Sequence, residues 1–182
     1  DIKLNLEVPD KIQPITAAPE VMLDCVAMYE GRGLMIFFGT GQYLNGADFN
    51  STSDQSAYGV WDLGNIWEET DGFDVAKTKY HGTFEGNRSL SNSSATLLEQ
   101  VFTAETSMWW VMTDNQPVWY DPTDGSGDHV GWYFDLPESN VGERLIQPPL
   151  LRIESLVLLS TIPSSSPCSG GGRSSIYIVR PC

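Results

Sequence analysis

The sequence has 182 residues, 41% of them hydrophobic, and sets 10 Lys and Arg against 24 Asp and Glu for a formal net charge of −14 with His neutral. That length suffices for one domain with a sizeable core, and the sign of the charge argues against nucleic acid and anionic lipid, both of which are bound through Lys and Arg. No apolar run approaches the ~20 residues a helix needs to span a membrane, so no membrane insertion is expected.

In chain order the pattern is all-β. Strands are expected over 21–28, 34–38, 57–62, 96–106, 108–113, 130–136, 156–161 and 174–180, separated by breakers rich in Gly, Asn, Asp, Ser and Pro. Leu156-Val157-Leu158-Leu159 is continuously apolar, which predicts a strand covered on both faces. Helix-period stretches are missing apart from a turn expected around 65–70. The polar segments 45–54 and 85–94 read as exposed loops. The chain is read as one domain or fragment, 1–182, of several antiparallel sheets with long loops.

The most informative stretch is Phe37-Phe38-Gly39-Thr40-Gly41-Gln42-Tyr43-Leu44, followed by Asp54-Gln55-Ser56-Ala57-Tyr58-Gly59-Val60-Trp61-Asp62. Upstream stands Gln13-Pro14-Ile15-Thr16-Ala17-Ala18-Pro19-Glu20-Val21. Downstream come Gly131-Trp132-Tyr133-Phe134-Asp135-Leu136-Pro137, Gly142-Glu143-Arg144-Leu145, Thr161-Ile162-Pro163-Ser164 and Ser166-Pro167-Cys168-Ser169-Gly170-Gly171-Gly172. Together, and in this order, these resemble the type IV pilus tip-associated adhesins and pilus biogenesis factors of the PilC/PilY kind. The resemblance covers nearly the whole chain. It implies the C-terminal part of a modified, irregular, quinoprotein-like β-propeller. It also implies a non-enzymatic adhesin or assembly factor at the pilus tip or bacterial cell surface, outside the cell. The partners implied are pilin, minor pilins or another part of the same adhesin, with a host-surface or abiotic-surface ligand. An alternative is a structural piece that completes a propeller or packs on a filament subunit by strand addition. A quinoprotein-like enzyme is a third reading, for which no cofactor signature is present.

The loops 45–54, 85–94 and 115–128 are the expected contact surface, with Trp67, Trp119 and Asn115 as its binding candidates. The other tryptophans that fall in strands, Trp61, Trp109 or Trp110, and Trp132, are expected in the core. Asp124, Ser126 and Asp128 stand at the first, third and fifth places of a calcium-type loop, with Asp135 twelfth, but His129 occupies the sixth place where glycine is wanted. Calcium is thus a candidate ligand, and no cofactor is required. No catalytic residues are assigned: His81 and His129 lie in polar contexts without a nucleophile elbow or paired histidines. Cys25, Cys168 and Cys182 are too few for a disulfide scaffold. A bridge from Cys25 to a C-terminal cysteine, a bridge between Cys168 and Cys182, and three free thiols all remain open.

Overall fold

A computed structural model describes residues 13–23, 34–62, 65–70, 73–79, 96–106, 109–120, 126–164 and 172–182, with the backbone path alone at 65–70, 73–79 and 104–105. Twelve strands are formed within these residues: β1 (Glu20–Leu23), β2 (Leu34–Gly39), β3 (Ser56–Asp62), β4 (Asn65–Thr70), β5 (Phe73–Lys79), β6 (Thr96–Glu99), β7 (Phe102–Glu105), β8 (Trp110–Met112), β9 (His129–Asp135), β10 (Leu150–Arg152), β11 (Ser155–Leu159) and β12 (Ile176–Val179). The all-β expectation holds.

The main sheet has the order β1-β2-β3-β9-β6, antiparallel except for β6, which runs parallel to β9. The strand covered on both faces is β3, where Ser56 through Trp61 are all buried. Its register sorts the aromatic side chains. Trp61, Gly59 and Ala57 pair with Met35, Phe37 and Gly39 on one side, and Gly59 and Ala57 with Trp132 and Phe134 on the other, so all lie on one face. Tyr58, Phe38 and Tyr133 share the opposite face. The rings of Phe38 and Tyr58 stack at 5.2 Å there, and those of Trp132 and Phe134 stack at 6.2 Å on the first.

A three-stranded sheet, β10-β11-β12, packs against the Phe134 face. Leu156, Leu158 and Tyr177 are its buried side, and the Tyr177 ring lies 5.6 Å from that of Phe134. The 156–159 stretch is therefore covered on one face only: Val157 is half-buried and Leu159 exposed. Two hairpins complete the fold, β4-β5 and β7-β8. Among the described residues these sheets do not close into a ring of blades.

Two further expectations are corrected. The segment 65–70 is strand β4, paired antiparallel with β5, instead of a helical turn. The stretch 96–106 splits into β6 and β7, which belong to different sheets. The loop 45–54 contains a short 3-10 helix, Gly46–Asn50, capped by Asn45. The loop 85–94 lies outside the described residues.

Candidate interaction site

The Gly39-Thr40-Gly41 corner is a junction where four motifs of the sequence meet. Pro14 accepts the Gly41 N–H at 2.7 Å, and the Thr16 hydroxyl donates to the Gly41 carbonyl at 2.7 Å. Thr40 is fully buried; its hydroxyl accepts the Ser56 N–H at 2.8 Å, and its carbonyl accepts the Leu145 N–H at 2.9 Å. A Cβ built on Gly39 would stand 2.2 Å from Leu145 Cβ, and one on Gly41 would stand 2.5 Å from Arg144 Cβ. Gly41 also holds φ at +132°, a conformation that side chains resist. Glycine is required here by close approach, so the corner is structural.

Glu143, Arg144 and Leu145 then pin the two layers together. Arg144 is 3% exposed and uses its guanidinium on four carbonyls: Gly142 at 3.0 Å, Gln42 at 2.9 Å, Asp48 at 2.7 Å and Ser51 at 3.0 Å. Burial pushes its pKa below the ordinary guanidinium range. The Asp48 carboxylate accepts from Leu44 N–H at 2.7 Å, Gln42 at 2.8 Å and Asn45 N–H at 2.9 Å. These donors, the Leu44 N–H foremost, hold its pKa below the usual carboxylate value. The loop 42–51 is thus fixed from beneath, leaving Leu44 and Phe49 exposed on its surface. Glu143 faces the other layer and accepts from the Ser160 hydroxyl, from Tyr177 at 3.0 Å and from Asn140 at 2.8 Å. Burial first, then the Glu143 charge, raises the Tyr177 phenol well above its ordinary pKa.

Two uncovered features lie beyond this pin. The outer face of the three-stranded sheet carries Leu150, Leu159, Ile176 and Ile178, all exposed, in register around Val157. Beside it runs a groove of about 770 Å³ between residues 109–117 and 174–180, floored by Phe102, Trp110, Trp132 and Tyr177. The Trp110 and Tyr177 rings stack at 6.1 Å across it. At one end Arg180 meets Asp114 at 3.2 Å. Exposed apolar side chains in one row, beside an aromatic floor, have the chemistry of a protein contact surface.

Of the residues singled out from sequence, Asn115 is on this groove. Its N–H donates to Gln100 Oε1 at 3.0 Å, and its side-chain amide donates to the Glu99 carbonyl at 3.2 Å. Trp119 is half-buried, edge-on to Trp61 at 5.6 Å; among the described residues the exposed indole is Trp109, at 70%. Trp67 falls on β4, in the β4-β5 hairpin. Asp124, Cys25 and Cys168 lie outside the described residues, and Cys182 is disulfide-bonded. Ser126 and Asp128 are exposed, while Asp135 accepts a hydrogen bond from Ser56 within the main sheet. Among the described residues no group of three or more potential ligands gathers for a metal. Sequence reasoning missed Trp109, Ile176 and Ile178. The signal was there in Ile176-Tyr177-Ile178-Val179, since four consecutive apolar residues on a strand supply apolar side chains to both faces.

No family model matches the sequence. The type IV pilus biogenesis factor PilY1 of Pseudomonas aeruginosa PAO1 is 31% identical over 174 residues, which is 93% of this chain and 14% of that protein. A PilY1 homolog of Xylella fastidiosa is 29% identical over 171 residues, 92% of this chain and 10% of the homolog. The crystal structure of the P. aeruginosa PilY1 C-terminal domain superposes with a TM-score of 0.63 and 25% identity, covering 93% of this chain and 32% of that one. The chain thus spans only a small part of the curated relatives it matches.

Proposed function

The chain is homologous to the type IV pilus biogenesis factor PilY1 and shares the fold of the PilY1 C-terminal domain, and from that premise we propose that it is a non-catalytic recognition module in type IV pilus assembly. The observation that carries this reading is the apolar outer face and groove of the three-stranded sheet, tied to the main sheet by the Glu143 carboxylate and by the Arg144–Thr161 backbone pair. A rigid scaffold presenting an uncovered apolar surface is suited to binding another protein, and preorganisation lowers the cost of doing so. Pilus subunits are the partners of this reading, and the bacterial surface or pilus tip its place. The disulfide at Cys182 supports an oxidising location outside the cytoplasm. In a protein of PilY1 length the sheets would be blades of an irregular β-propeller. Calcium bound by Asp124, Ser126 and Asp128 belongs to the same reading; a rise in thermal midpoint with millimolar calcium is expected, and an unchanged midpoint would remove it.

A second reading, adhesion to a host or abiotic surface, is favoured by one observation. Leu44 and Phe49 are exposed on a loop whose backbone Arg144 and Asp48 fix from below, and Tyr43 packs edge-on against Phe49 at 5.1 Å. The test of the assembly reading is retention of identified pilus subunits from an envelope extract of the source bacterium on the tagged, folded chain. Their enrichment is expected; retention no greater than on an unrelated acidic β-domain would overturn the reading.

A further inference from the structure

The groove is bounded by two strand edges. Along a strand the backbone polar groups alternate in direction, so the known bonds on one side fix what faces the other. Ser160 N–H donates to the Ser175 carbonyl at 3.0 Å, and Arg173 and Ile162 exchange both their bonds. The groups of Tyr177 and Val179 therefore point toward β11, and those of Ile176 and Ile178 point away from it, into the groove. On β8, Thr113 N–H donates to Val101 and the Trp109 and Val111 carbonyls accept from Thr106 and Thr103, all on the β7 side. The groups of Trp110 and Met112 therefore point the other way. Both segments line the groove with consecutive residues, 109–117 and 174–180, as an edge does; a face would contribute alternate ones.

The two edges are matched in direction. From the Trp110–Tyr177 stack to the Asp114–Arg180 ion pair, both chains advance toward their C-termini, so β8 and β12 run in the same sense. They form no ladder with each other, being strands of different sheets, and the Trp110 and Tyr177 side chains meet beneath the gap. Neighbouring strands lie roughly 4.8 Å apart, so a gap that accepts one strand is about twice that. An inserted strand can pair antiparallel with both edges at once, the more stable arrangement.

We propose that this groove is a strand acceptor, taking an extended segment of a pilus subunit between β8 and β12 and joining the β7-β8 and β10-β11-β12 sheets into one six-stranded sheet. The inference rests on the pilus-assembly reading and names the site of that contact. Apolar side chains at alternate positions of the donor would meet Phe102, Trp110 and Tyr177 on the floor. The opposite side chains would continue the exposed row of Ile176 and Ile178, which are 65% and 68% exposed. The chain's net charge of −14 favours a neutral or basic donor and opposes a second copy of itself.

The test uses the whole chain and the purified soluble domains of the source bacterium's pilus subunits, each tried singly. With the domain that binds, amide exchange at Ile176, Ile178, Trp110 and Met112 is expected to slow at least about tenfold. Ile178→Pro removes an N–H that faces the groove while leaving the β11 bonds intact, and is expected to weaken binding at least about tenfold, whereas Ile178→Val binds normally. Binding with unchanged exchange at all four amides would overturn the strand acceptor and leave the assembly reading standing. Absence of binding by every subunit domain would overturn both. Slow exchange at these amides in the chain alone, or self-association abolished by Ile178→Pro, would overturn the proposed occupant.

Discussion

Gly39, Gly41, Arg144 and Asp48 concentrate the structural demands of the molecule at one corner. Because a Cβ at position 39 would fall within 2.2 Å of Leu145, Gly39→Ala is expected to lower unfolding free energy by about 1–3 kcal/mol in urea titration. Arg144→Lys keeps the charge but cannot reach four carbonyls with one ammonium, so about 2–4 kcal/mol is lost and the loop 42–51 exchanges its amides faster. The pH dependence at this corner has a definite sign. Asp48 titrates below the ordinary carboxylate range when folded, so its contribution to stability is complete above its unfolded pKa and is lost as pH falls toward the folded one. Asp48→Asn is therefore expected to flatten the acid limb of the stability curve below about pH 4, measured by thermal midpoint against pH. Glycines at 39 and 41 were legible as a corner from the sequence alone. That Arg144, about a hundred residues downstream, holds the loop beyond that corner was not, because a guanidinium's partners are set by tertiary approach.

At the scale of elements, the strands with alternating or continuous apolar residues were legible, and β2, β3, β9, β11 and β12 lie where the pattern put them. Two failures have physical causes. The segment 65–70 lacks a strong period of either kind, and pairing with β5 across a bulge after Ile66 decided its form. The stretch 96–106 reads as one strand because its residues suit one, but Gln100 turns the chain between sheets. Its N–H donates to the Tyr133 carbonyl at 2.8 Å, while its side chain takes the Thr113 hydroxyl at 2.7 Å and donates to Asn115 at 2.8 Å. Gln100→Ala is accordingly expected to cost about 1–3 kcal/mol by leaving these groups unpaired. The β7-β8 hairpin should loosen with it, seen as faster amide exchange in that hairpin than in β2 or β3. The groove itself was hidden from sequence reading, since it exists only where 109–117 comes beside 174–180.

For the whole molecule, the order of motifs from Gln13 to Gly172 carried the relationship to PilY1, and in the structure several of them meet at one corner. Pro14 and Thr16 clamp Gly41, Ser56 bonds Thr40, Leu145 fills the space over Gly39, and Glu143 reaches Tyr177 in the second sheet. The layers so joined leave the outer face of β10-β11-β12 bare. A chain that covers 14% of a PilY1 protein acts as part of a larger assembly in the proposal made above. The most direct test counts surface pili by electron microscopy in the source bacterium after in-frame removal of this segment, with the intact gene restored in trans. Pili are expected to be lost or sharply reduced on removal and to return with the intact gene. Undiminished piliation after removal would contradict a role in assembly.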